Sequence, residues 1–236
     1  MNVYFVTIGK KAEIEVIRKL RPSRLLCSYW YFKSKKLSEL CDSVGYRPEI
    51  MLDSGAYSAV SAGRNLSLLD YMKYIRENEG FIARYVALDV IGDSYTTRAF
   101  YDIMRAKGFS PIPVYHYGDD LETMDHYVAS GAGVIALGNT VPIRDKRVVA
   151  DWCSWMHQKY PCVDLHLLGS SSQKIIDCDG LASCDSSSWY MLAVNGQPKS
   201  IAGQTERAEA NMRNIMEAFN DSPVPIVNSC GECAYG

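Results

Sequence analysis

Short apolar runs recur along the chain, each closed by polar or glycine-containing turns, and between them apolar residues fall three and four apart. The first pattern reads as buried strands and the second as helices with one packed face. It predicts strands at Val3–Ile8, Arg24–Trp30, Glu49–Asp53, Arg84–Asp89, Pro111–Tyr117, Val134–Leu137, Asp164–Leu168 and Leu181–Asp185. It predicts helices over Ala12–Leu20, Leu37–Ser43, Asn65–Glu77, Ser94–Lys107, Asp119–Ala129, Asp145–Lys159 and Gln204–Phe219, with a brief one near Gln173–Ile176. Asp119 or Asp120 supplies a cap, and Gly108, Gly131 and Pro161 supply stops.

Strand and helix alternate throughout, which argues for a parallel sheet. Eight such units in 236 residues point to α/β architecture of the (β/α)8 TIM-barrel type, as one domain over residues 1–236. An open doubly wound sheet is the alternative; the lack of a glycine-rich dinucleotide fingerprint after the first strand weighs against it. Gly169 to Asp185 is short for a full crossover, so the barrel is expected to be irregular there.

Composition adds bounds. The chain is 47% hydrophobic and 22% charged, with net charge -2 and pI about 6.1. Contact with nucleic acid must then come from local basic clusters. No apolar run approaches the ~20 residues of a membrane span, and Met1-Asn2-Val3-Tyr4-Phe5-Val6 enters a strand with no basic leader. Eight scattered cysteines, several inside apolar runs, fit a reducing compartment. A cytoplasmic location with no membrane partner is therefore expected, the host cytoplasm if the protein is phage-encoded.

Candidate chemistry gathers at the carboxyl ends of the strands. Asp53-Ser54-Gly55 follows the third, with Tyr57 just beyond; Asp89 follows the fourth and His116 the fifth. Gly138-Asn139 follows the sixth, Leu168-Gly169 the seventh, and Asp185 closes the eighth. A barrel brings these positions to one mouth. Each has a plainer use: Asp53 and Asp89 as helix caps, His116 as a structural histidine, the glycines as turns, Asp185 as an acceptor for nearby amides. The pattern favours function, because consecutive units carry polar groups at the same end. Paired carboxylates suit glycosidic chemistry, one at the anomeric carbon and one moving the proton. A third can read donor groups on a heterocycle, with Tyr57 stacking on it.

Leu52-Asp53-Ser54-Gly55-Ala56-Tyr57 resembles the Asp-Ser-Gly-Gly-Tyr/Phe motif of the queuine/archaeosine tRNA-guanine transglycosylases. In the same order, Asp89 matches their base-reading aspartate, His116 stands where they usually carry glutamine, Leu137-Gly138 matches their glycine segment, Leu168-Gly169 resembles the segment on the other face of the base, and Asp185 falls at their nucleophile. The short chain, with Ser186-Ser187-Ser188-Trp189 after that position, is similar to the compact phage-type relatives that insert 7-deazaguanines into DNA. The resemblance implies base exchange. Asp185 would attack C1′ and Asp53 would move the proton. Ser54, Gly55, Tyr57, Asp89, His116, Gly138, Asn139, Leu168 and Gly169 would hold the base. The partners implied are DNA, or alternatively tRNA, and a 7-deazaguanine such as preQ0 or a derivative.

The family's zinc subdomain is not matched. Cys230 and Cys233 form the only close cysteine pair, whereas a structural zinc takes about four ligands; no cofactor and no metal are expected. Lys33, Lys35 and Lys36 beside Tyr29, Trp30, Tyr31 and Phe32 suit a single strand. Arg144, Lys146 and Arg147, and then Lys199, are further candidate phosphate contacts. The rival readings are a nucleoside or glycoside hydrolase on the same carboxylates and a non-catalytic, RNA-binding transglycosylase-like subunit.

Overall fold

The computed structural model describes residues 1–225, so Cys230 and Cys233 lie outside the described residues. The chain runs β1 (Asn2–Thr7), α1 (Lys11–Leu20), β2 (Arg24–Ser28), α2 (Tyr29–Phe32), α3 (Leu37–Val44), β3 (Glu49–Asp53), α4 (Ala56–Ser61), α5 (Leu68–Glu77) and β4 (Arg84–Tyr85). It continues α6 (Ser94–Ala106), β5 (Val114–His116), α7 (Leu121–Ala129), β6 (Val134–Gly138), α8 (Lys146–Lys159), β7 (Asp164–Leu167), α9 (Gln173–Ile176), β8 (Leu181–Ser186), α10 (Ser188–Val194) and α11 (Gln204–Ala218).

All strand pairings are parallel, in the order β4-β3-β2-β1-β8-β7-β6-β5. The two ends of that sheet meet. Val86 bridges to Ile112, and the Ala87 N–H and Ile112 N–H donate across the seam, each at 2.8 Å. The ring is a closed (β/α)8 barrel. The seam is thin because Pro111 and Pro113 flank Ile112 and have no N–H to give.

Alternation along the strands makes two cores. Phe5, Leu25, Cys27, Leu52, Ile135, Leu137, Leu165 and Leu167 face outward and pack under the helices. Tyr4, Leu26, Met51, Val86, Val114 and Ala136 fill the barrel. Burial on both faces is why the strands read as nearly unbroken apolar runs. Below the inner core, the Tyr4 hydroxyl donates to Glu49 at 2.5 Å, and Glu49 pairs with Arg24 at 3.4 Å and Arg84 at 3.8 Å. That network closes the amino-terminal end, leaving the carboxyl end as the mouth.

Several expected boundaries shift. The second strand stops at Ser28, because Tyr29 and Phe32 turn inward on α2 and are buried. The fourth and fifth strands are much shorter than the apolar runs suggest, for the proline reason above on one side of the seam. The short helices α4 and α10 carry too few turns to show a stripe and were not anticipated. The seventh unit is irregular as expected: α9 has four residues, and the β7–β8 register shifts between Leu165 and His166. Among the described residues no helix is long and apolar enough to cross a membrane.

Candidate active site

Asp53 ends β3 and is partly open to the mouth. Its Oδ2 accepts the Gly55 N–H at 2.8 Å. Burial pushes its carboxyl up to about 7; the Gly55 bond opposes this, and the charges of Asp185 and Asp89 add to it. Three acids from β3, the segment after β4, and β8 therefore share one electrostatic environment. Gly55 is demanded by space: with φ 75°, a Cβ there would sit 2.3 Å from Ser28 Oγ and 2.6 Å from Trp30 Cβ. Ser54 is fully buried beneath this turn.

Asp89 does not cap the next helix. Asp93 does, accepting the Thr96 N–H at 2.9 Å. Asp89 instead accepts from Thr97 Oγ1 at 2.9 Å and faces His116 Nε2 at 3.1 Å. His116, 7% exposed, has Nδ1 3.3 Å from Asp119, whose carboxylate also accepts the His116 backbone N–H at 3.0 Å. Burial opposes a charge on this ring, but the bonds to Asp119 and Asp89 outweigh it and push the imidazole up to about 10. Both ring nitrogens are thus engaged, and His116 works by fixing Asp89. Asp119 is drawn into the site, which leaves Asp120 as the N-cap residue of α7 with no side-chain cap bond. Gly138 pairs with His116 in register, and a Cβ there would lie 2.9 Å from His116 Cδ2.

His116→Ala would leave two carboxylates without their shared cation, keeping only the Thr97 hydroxyl and the residue-116 amide, and is expected to cost about 3 kcal/mol at neutral pH. The raised folded-state value means that the stabilising contribution is complete below about pH 6.5 and is lost as pH rises through about 10. Urea melts at pH 6 and pH 10.5 test this. A gap between variant and wild type that did not narrow would sink the charged-histidine assignment.

Asp185, 5% exposed, ends the inward row of β8 and accepts the Gly169 N–H at 3.0 Å. Beneath it lies His166, fully buried, a residue the sequence reading passed over. Its Nδ1 meets Ser183 Oγ at 2.8 Å, and its Nε2 lies 3.3 Å from Asp185 Oδ1, near enough for an ion pair but off the line of a hydrogen bond. The signal was present in Asp164-Leu165-His166-Leu167: with the leucines packed outward, the histidine must point inward.

The other candidates line the rim. Leu168 is half-buried and packs against the inner core. Asn139 adopts φ 59° and donates to the Tyr117 carbonyl at 3.2 Å. Tyr57 is 70% exposed on α4, and Tyr31, Tyr95 and Tyr117 are also exposed on neighbouring βα segments. A cavity of about 240 Å³ opens between α4 and α6, lined by Ala56, Val60, Arg64, Asp89, Thr96 and Phe100 among others.

The basic candidates divide. Lys33, Lys35 and Lys36 are exposed after β2, with Lys33 Nζ 3.8 Å from the Trp30 ring centre; the burial of Tyr29 and Phe32 leaves Trp30 and Tyr31 as the aromatics available beside them. Arg144 and Lys199 are exposed. Lys146 donates to the Thr140 and Val141 carbonyls at 3.2 and 3.4 Å, and Arg147 pairs with its own cap Asp145 at 2.9 Å. Those last two offer a ligand less free charge than the sequence implies. Among the described residues no three His, Cys, Asp or Glu side chains converge as a metal site.

No protein-family model matches the chain, and no curated protein matches it. Solved structures similar to it include several enzymes. The tryptophan synthase alpha chain from Legionella pneumophila subsp. pneumophila is 8% identical over 93% of this chain and 91% of that one, with a TM-score of 0.57. Orotidine 5'-monophosphate decarboxylase from Metallosphaera sedula is 12% identical over 92% and 100%, with a TM-score of 0.54. The YdjI aldolase from Escherichia coli K12 is 10% identical over 98% and 93%, with a TM-score of 0.53. At such identities the likeness is one of fold, and it agrees with the barrel traced above from strand order and register.

Proposed function

We propose that the chain is a guanine transglycosylase that exchanges guanine for a 7-deazaguanine base, in DNA, through a covalent aspartyl-glycosyl intermediate. One observation carries the reading: two carboxylates share the mouth, Asp185 held by a backbone amide and Asp53 pushed up to about 7, where it can both give and take a proton near neutrality.

In the first half-reaction a carboxylate oxygen of Asp185 forms a bond to C1′ as the C1′–N9 bond breaks. The electron pair leaves with guanine, and protonated Asp53 supplies the proton. In the second half the incoming base gives its N9 proton to Asp53, N9 bonds to C1′, and the ester to Asp185 breaks. Both acids return to their starting states, and no redox cofactor enters. Asp89, fixed by His116 and Thr97, together with the Gly138 backbone, reads the base edge, while Tyr57 stacks on it. The target must leave its stack to enter.

The test is incorporation of labelled guanine and of a 7-deazaguanine into DNA and, in parallel, into tRNA. Label in DNA is the expected result. Label in tRNA alone would reassign the polymer, and release of base without incorporation would make the protein a hydrolase.

A further inference from the structure

A second cavity, of about 590 Å³, adjoins Asp185 on the side away from Asp89 and His116. Ser170, Ser171 and Ser172 after β7 and Ser186, Ser187 and Ser188 after β8 line it, with Asn195, Asn211 and Asn214 from α10 and α11. None of its lining residues is charged. Its size suits a small molecule or one nucleotide unit.

Hydroxyls that merely served the fold would bond to one another, as Ser186 and Ser188 do at 2.7 Å. Ser170 does not. The residue is 6% exposed and lines the cavity, and its hydroxyl, which has no hydrogen-bond partner among the described residues, is open to that cavity rather than sealed in the core. Ser172 Oγ, in the same lining, is the atom that is both buried and unpartnered. A buried hydroxyl without a partner costs free energy that a ligand would recover.

The position says what the ligand is. Gly169, which donates to Asp185, and Ser186, which follows it, line this cavity, while β3 and β4, which carry or precede the base-reading acids, lie across the ring from β8. A group bonded to the sugar at Asp185, on the opposite side from the base, is the sugar's phosphate. Loops after the seventh and eighth strands of such barrels frequently seat phosphate. Hydroxyl donors suit a singly charged diester, and a nearby cation beside Asp185 would have held that carboxylate back as a nucleophile. We propose that this cavity is a phosphate subsite that takes the backbone phosphodiester of the target nucleotide, with the open hydroxyl of Ser170 as a donor and Ser172 beside it. The choice of ligand rests on the base-exchange reading; the cavity and its unpartnered serines do not.

The experiment uses the full chain and a short single-stranded oligodeoxynucleotide with one guanine, in its natural form and with a methylphosphonate 5′ to that guanine. In exchange of labelled guanine, Ser170→Ala is expected to raise KM for the natural oligonucleotide about tenfold, with kcat and KM for guanine within about twofold. The methylphosphonate should raise KM similarly for wild type and add nothing to Ser170→Ala. Ser187→Ala, at an exposed position, serves as a second variant expected to act in the same direction if burial of Ser170 makes its variant unstable. Unchanged KM in both variants, or full use of the methylphosphonate, overturns the subsite while leaving base exchange standing. Should wild type exchange nothing, the backbone amides of residues 170–172 are followed by NMR with ribose 5-phosphate and with ribose. Shifts with ribose 5-phosphate alone support a phosphate subsite for a free sugar phosphate and overturn the polynucleotide source; no selective shift overturns the subsite itself.

Discussion

Asp185→Asn is expected to lower guanine exchange by roughly 10⁴-fold or more and to abolish the covalent adduct with DNA. The amide keeps the shape of the carboxylate and can still accept the Gly169 N–H. What it lacks is the anionic oxygen that bonds to C1′. The loss therefore falls on chemistry, and the melting temperature should stay close to that of wild type. Two measurements check this: label exchange, and adduct retained on a denaturing gel after the second base is withheld. Undiminished exchange, or an adduct that survives the substitution, removes Asp185 from the nucleophile's role.

The second large effect is on stability as well as activity. Asp53 is held near 7, above its unfolded value of 3.8, chiefly by burial. A raised acid favours the folded state while protonated, so that advantage is complete below about pH 3.8 and is lost as pH rises through about 7. Above pH 7 the wild type holds an ionised Asp53 against desolvation. Asp53→Asn removes that burden and keeps an acceptor for the Gly55 N–H. The variant should match wild type in stability near pH 4 and exceed it at pH 8 by about 2 kcal/mol, roughly 5 °C in melting temperature. That figure is below the full shift because Asp53 is partly open to solvent. Exchange should fall by about 10²–10⁴-fold in the same variant. Thermal melts at both pH values decide it: a variant no more stable than wild type at pH 8 refutes the buried, proton-holding Asp53.

The strand-end residues were legible because each apolar run stops at a polar group. Asp53, Asp89, His116, Gly138 and Asp185 could be picked out this way without coordinates. His166 was hidden inside such a run, and finding it requires knowing which phase of β7 faces inward. Thr97 and Asp119 were hidden differently. Both sit at helix starts, where a polar residue usually serves as a cap, and only the fold turns them toward Asp89 and His116. The free charge of Lys146 and Arg147 was overestimated for the same reason, since nearby carbonyls and Asp145 claim it.

By itself the sequence determined the barrel: alternating apolar periods leave a chain of this length few other ways to bury so many strands on both faces. It also placed Asp53, Asp89, His116 and Asp185 together at the carboxyl end, because each closes an apolar run whose inward side chains lower in the strand leave no room for a charge. The tertiary structure alone decided how those groups share protons. Whether an acid is tied to an imidazolium, an amide or open solvent depends on neighbours far away in the chain, and those distances set its charge.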